Sequence, residues 1–207
     1  MEKLKRTHYL GSIREGDVGS IQTVCGWVQT KRDMGGVIFL DMRDREGTLQ
    51  VVINSSEVTR EEFAAAEELR LQSVVAVRGL IRIRDAETYN TKLDTGTIEL
   101  AARTLQVISQ ASPLPFSADD SGVREDVRLK YRYIDLRRAE MQSNLRFRAK
   151  VSRIIREYLD SDGFIEIETP MLAKSTPEGA REYLVPSRVH KGRFYALPQS
   201  PQIFKQL

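Results

Sequence analysis

Phe39 and Gln50, on neighbouring strand-like segments, are two side chains that together could recognise a nucleobase. Along "GVIFLDM" the alternation of a strand puts Val37, Phe39 and Asp41 on one side and Ile38, Leu40 and Met42 on the other. The second set is the apolar one and faces a core. Phe39 is then free to stack on a ligand ring, a contact worth roughly 1–3 kcal/mol per base. In "TLQVVIN", Gln50 alternates away from Leu49, Val51 and Ile53, and its carboxamide can hydrogen-bond a base edge. The residues alone equally allow a plainer arrangement, with Phe39 in the core and Gln50 an ordinary surface residue. Arg78, Arg82 and Arg84, in "VRGLIRIRD", share one face of a later strand by the same count and are placed to meet phosphate.

A second set lies near the C-terminus. Glu178, in the loop sequence "STPEGARE", offers a carboxylate to a cation, and Lys205 offers an ammonium to a carboxylate as a charge-assisted hydrogen bond. Gln202, three residues before Lys205, shares its helical face and supplies a donor and an acceptor. Spacing alone favours the plainer reading, with Gln202 and Lys205 solvated and Glu178 in a mobile loop. His8 and His190 lack partners at ligand spacing and are assigned to no metal, and no residue is assigned a catalytic role.

The elements that must position these groups follow from periodicity. "IQTVCGWVQ", "GVIFLDM", "TLQVVIN", "SVVAVRGLIRI" and "TIELAARTLQVI" are rich in Val, Ile and Thr and are separated by turn signals at Gly35-Gly36, Glu46-Gly47 and Thr95-Gly96. "EEFAAAEELRL", residues 61–71, has a helical period and falls after the third strand. Five strands with one helix after the third is the order of an all-β OB-fold barrel, an order that a generic small barrel also allows. "SQASPLPFSADDSG" reads as a linker, giving a barrel domain over 1–108, a linker over 109–123 and a second domain over 124–207. In the second domain an amphipathic helix is expected over 143–160, with Phe147, Val151, Ile154, Ile155, Tyr158 and Leu159 on one face, stopped by Asp162-Gly163. A strand is expected in "FIEIETPML". A last helix should open at "SPQIFKQL", with Ser200 as its cap and Pro201 in its first position. That helix has an apolar face and little chain to pack against it, as in a piece of a larger domain.

The 207 residues are 41% apolar and 29% charged, without an apolar run long enough for a membrane span or a secretory signal, so a cytoplasmic protein is expected. The single Cys25 has no internal disulfide partner and reads as a buried thiol. A net charge of +3 is too small to argue for nucleic acid by itself, and residues 1–110 carry 15 basic against 16 acidic side chains. The basic excess concentrates in 124–156, with 11 against 4, which suits either a solvated helix face or an RNA-facing surface.

The combination of "CGWV", "KRD" and "IFLDMRDREGTLQVV" with the helix ending in "SDGF", then "IEIETPMLAKSTPEGAREYLV" and "YALPQSPQIFKQL", resembles the class II aminoacyl-tRNA synthetases and, within them, the bacterial aspartyl enzymes. The resemblance covers essentially all 207 residues. It implies an OB-fold anticodon-binding domain followed by the incomplete start of an α+β catalytic domain. The implied activity is aspartate–tRNA ligase, with L-aspartate, ATP, Mg2+ and aspartate tRNA as ligands and homodimerisation through the 143–172 region. Recognition of asparagine tRNA, which would depend on contacts near Met34 and near residues 88–90, is left open. By resemblance Glu178, Ser200, Gln202 and Lys205 bind aspartate, while Arg32, Phe39, Gln50, Arg82 and Glu99 bind the anticodon. The groups that hold ATP and Mg2+ in such enzymes are implied to follow residue 207, leaving this chain inactive alone. The alternative is a free-standing tRNA-binding OB module without catalytic activity; neither reading implies DNA or a membrane as partner.

Overall fold

The computed structural model describes residues 4–118, 120–175 and 181–207, and the chain divides into two compact units, 1–117 and 118–207. In the first unit β1 (Ile21–Asp33), β2 (Val37–Arg43), β3 (Thr48–Asn54), β4 (Val74–Ile83) and β5 (Ile98–Ser109) close a barrel in the order β1-β2-β3-β5-β4. All neighbours are antiparallel except β3 and β5, whose parallel pairing sets Gln50 opposite Glu99 and closes the cylinder. Each strand reaches the interior through alternate residues, so Ile38, Leu40 and Met42 are fully buried with Leu49, Val51 and Ile53. With Phe39 on the outer side of β2, the core alternative for this residue falls.

β1 runs four residues beyond the expected Gln29. Its pairing with β2 slips between Val28 and Thr30, a bulge that leaves Gln29 over and carries the strand on to Asp33. Arg32 is thereby set opposite Phe39.

Between β3 and β4 lies α1 (Arg60–Glu67), opened by a reciprocal cap. The Thr59 hydroxyl accepts from the Glu62 N–H at 3.2 Å, and the Glu62 carboxylate accepts from the Thr59 N–H at 3.0 Å, an arrangement worth about 1 kcal/mol. The other Glu62 oxygen accepts from the Leu105 N–H at 3.0 Å and ties the helix to β5. The helix stops four residues short of the expected Leu71, because side chains satisfy its last carbonyls. Lys31 Nζ donates to the Glu67 carbonyl and Gln110 Nε2 to that of Glu68, and Gln72, at φ 68°, turns the chain into β4. Leu69, past the helix end, still fills the barrel floor.

The N-terminal segment, to which the sequence assigned no role, seals the barrel with buried Leu10 and Ile13. Asp44 anchors it: one carboxylate oxygen accepts from the Leu10 N–H at 2.6 Å, the other from the Glu46 and Gly47 N–H groups at 2.8 and 3.2 Å. Gly11 packs so closely here that a Cβ would lie 2.1 Å from the Glu46 carbonyl oxygen.

In the second unit α2 (Glu125–Lys130) and α3 (Arg132–Asp135) bury the Asp135 carboxylate beside Arg132, Arg128 at 3.7 Å and Arg138 at 3.6 Å. The 23-residue α4 (Ala139–Ser161) is longer than expected at its start, and ends as expected at Gly163, whose φ is 84°. Its apolar face stays open, with Phe147 69% and Ile155 53% exposed. The strand expected in residues 164–172 does not form. Without a neighbour to share backbone hydrogen bonds the segment has only its local preference, and Ile165 is 81% exposed; pairing begins with an isolated bridge between Ala173 and Ala196. A two-stranded ribbon, β6 (Tyr183–Pro186) with β7 (Phe194–Leu197), precedes α5 (Gln202–Gln206). Ser200 is not the cap of α5: Pro201 holds that position, at ψ 40°, and has no side chain that can accept from the freed N–H groups.

Candidate nucleic-acid interface

The outer face of the barrel brings together all five side chains expected to meet an anticodon. Arg32 reaches across β1 and β2 to set its guanidinium 5.6 Å from the centre of the Phe39 ring, within cation–π range. Its Nη2 donates to Gln50 Oε1 at 3.3 Å. Gln50 Nε2 donates to Glu99 Oε2 at 2.9 Å, and the other Glu99 oxygen accepts from Arg82 Nε at 2.7 Å. The sheet order explains the chain of contacts: Gln50 and Arg82 both stand opposite Glu99, on β3 and β4 either side of β5.

These residues line a groove of about 370 Å³, whose walls also include Met34, Val52, Arg84, Thr88 and the acidic Asp85. Gln50 faces away from the core yet is only 5% exposed, because Arg32 and Glu99 cover it; it is neither interior nor ordinary surface. An amide held on both sides has one N–H and one lone-pair direction left for a ligand. Phe39, half-buried, offers its ring beside that amide.

The arginines divide. Arg82 is committed through Nε to Glu99 with its side chain 45% exposed, so its outer edge alone faces solvent. Arg84 lies past the end of β4 and donates to the Thr88 carbonyl, bracing the loop that forms one end of the groove. Arg78 is exposed and does not line this groove.

The C-terminal set is less assembled. Glu178 lies outside the described residues. Ser200 and Gln202 line a hollow of about 290 Å³ between the Ala173 bridge and α5; Lys205, on the same short helix, does not. Lys174 and Glu182, which the sequence reading passed over, supply both signs of charge to that hollow. Among the described residues no group of three or more His, Cys, Asp or Glu side chains could hold a metal ion, and no helix is long and apolar enough to cross a membrane.

The family model for the OB-fold nucleic acid binding domain matches residues 22–108, and that for class II tRNA synthetases (D, K and N) matches 124–207. The chain is 55% identical over 205 residues to the aspartate–tRNA ligase of Geobacillus kaustophilus, covering 99% of this chain and 35% of that one. It is 54% identical, with 99% and 34% covered, to the aspartate–tRNA(Asp/Asn) ligase of a Thermoanaerobacter species. The chain thus spans about a third of the length of these curated relatives. Among solved structures, the asparaginyl-tRNA synthetase of Pyrococcus horikoshii with asparaginyl-adenylate superposes with a TM-score of 0.81 at 24% identity, covering 98% of this chain and 44% of that one. The aspartyl-tRNA synthetase of Entamoeba histolytica does so with 0.72 at 23% identity, covering 83% and 41%. These two share the fold.

Proposed function

The chain belongs to the class II aminoacyl-tRNA synthetases of the aspartyl type, as an N-terminal portion, and from that premise we propose that its barrel binds the anticodon loop of aspartate tRNA while residues 124–207 contribute to an aspartate site. The observation that carries the reading is the Arg32–Gln50–Glu99–Arg82 chain beside Phe39, which unites a stacking surface, a fixed amide and flanking cations in one groove. A base laid on Phe39 would gain stacking, and the Gln50 amide would read its edge.

In the second unit, Ser200 and Gln202 would meet the amino acid and Lys205 its side-chain carboxylate once the helix bearing it is covered, with Glu178 taking the ammonium. ATP and Mg2+ would supply the activation of the carboxylate in the whole enzyme. The described residues form no acidic cluster suited to the metal, and none of them is assigned that role. The open face of α4 would dimerise, and a cytoplasmic location fits the whole. Both aspartate and asparagine tRNAs remain within reach, since Met34 and Thr88 line the same groove.

Fluorescence anisotropy with an aspartate-tRNA anticodon stem-loop tests the anticodon reading, and saturable binding lost on changing the middle base supports it. Equal binding to any hairpin contradicts it. For residues 1–207 alone, aspartate-dependent pyrophosphate exchange into ATP is expected at background; turnover above background would contradict the assignment of ATP chemistry to other residues.

A further inference from the structure

A second groove, also of about 370 Å³, adjoins the first on the outer face and shares Arg82 with it; its other walls are Glu57, Leu80, Ala101 and Arg103. The register shows that the two are continuous. Val52, in the first groove, is opposite Ala101 in the second, and Ala101 is opposite Leu80. Between them Leu80 and Ala101 make a small apolar floor.

Arg103 stands here for a structural reason. The β4–β5 pairing slips between Arg78 and Gly79, which face Thr104 and Ala102 in turn, so Arg103 is the extra residue of a bulge. A bulge re-aims its side chain. Gly79 permits the close approach of the strands beneath it, since a Cβ there would lie 2.1 Å from the Ala101 carbonyl oxygen. The Arg103 side chain is exposed and makes no ion pair or hydrogen bond among the described residues. The Glu57 carboxylate is likewise exposed and without such a partner.

We propose that this groove holds the nucleotide adjoining the anticodon triplet, with one phosphate on Arg103, the sugar or base over Leu80 and Ala101, and Glu57 facing donor groups such as a 2′-hydroxyl. The proposal rests on the anticodon reading of the first groove and extends the RNA path beyond it. Charge sets where the phosphate lies: it is attracted to the Arg103 wall and repelled from the Glu57 wall. Single-stranded RNA is bound in this manner, by cations tracking its backbone beside apolar platforms.

The test uses the 207-residue chain and three stem-loops: the unmodified one, and two carrying a single neutral methylphosphonate on the 5′ or the 3′ flank of the triplet. Arg103→Gln should weaken binding of the unmodified RNA about three- to tenfold and lower the salt slope by about 0.7, the single-strand value for one phosphate. With one of the two modified RNAs, and not the other, the variant and the wild type should bind alike. Melting temperature should not change, because Arg103 is exposed. An Arg103→Gln chain with wild-type affinity and slope, or one weakened equally on both modified RNAs, overturns the proposal. Phe39→Ala separates the two claims. If it weakens binding while Arg103→Gln does not, the extension falls and the anticodon reading stands; if the wild type binds no stem-loop, both fall.

Discussion

Gln50 Nε2 donates to Glu99 Oε2 at 2.9 Å across the one parallel junction of the barrel. That contact fixes the amide so that Oε1 points to Arg32, and Glu99 spends its second oxygen on Arg82. A single carboxylate therefore orients both a base-reading amide and a cation. It stands 49 residues from Gln50 and 17 from Arg82 in sequence.

Glu99→Ala should expose this dependence. Gln50 is buried and would lose its acceptor, so unfolding free energy measured in urea should fall by about 1–3 kcal/mol. Discrimination between stem-loops differing at the middle anticodon base should weaken with it. Full stability together with unaltered discrimination would show that Gln50 is oriented by something else.

Asp44 closes the barrel by accepting from three backbone N–H groups, and Asp44→Ala would leave buried donors unpaired. A loss of about 1–3 kcal/mol is expected in denaturant unfolding, with new protease sensitivity in residues 4–13. Wild-type resistance there would mean that Leu10 and Ile13 hold the segment unaided.

Cys25 carries a thiol pushed up by burial, which the nearby Arg6 offsets only in part. The folded pKa is raised above the unfolded one. Its contribution to stability is therefore complete below the unfolded pKa and is lost as pH rises through the folded value. Alkylation by iodoacetamide should be slower than for a free cysteine at mildly alkaline pH and should speed up on unfolding. Equal rates in native and unfolded chains would contradict the burial effect.

Limited proteolysis should leave a resistant barrel. Gln110 and Ala111 are tied back to it, Ala111 N–H donating to Ser73 Oγ at 3.0 Å, so cleavage is expected after them, within 112–122. Cuts inside 21–109 at comparable rates would argue against an independently folded first domain.

Much of this was legible in the sequence because one face of each strand is apolar. The alternation in "GVIFLDM" put Phe39 outside and Leu40 inside, and the structure agrees. Other features depend on partners that no local pattern names. The bulge at Gln29 extends β1 only because β2 is there to pair with it. The Gln50–Glu99–Arg82 contacts require the closure of β3 onto β5. Residues 164–172 have strand-like composition but no strand pairs with them among the described residues. Ser200 has a good capping side chain, but the chain turns into α5 at Pro201, one residue later. Two signals were present and passed over: the Thr59-x-x-Glu62 spacing of a reciprocal cap, and the bulged Arg103, the one basic residue of β5.

The most direct measurement is the affinity of Phe39→Ala for the aspartate-tRNA anticodon stem-loop, taken together with its melting temperature. Phe39 lies on the outer face beside Arg32, so binding should weaken by roughly 1–3 kcal/mol, about five- to more than a hundredfold, while melting stays within a few degrees of wild type. Unchanged affinity, or a large fall in melting temperature with full affinity in the remaining folded protein, would contradict the assignment of this face of the barrel to RNA.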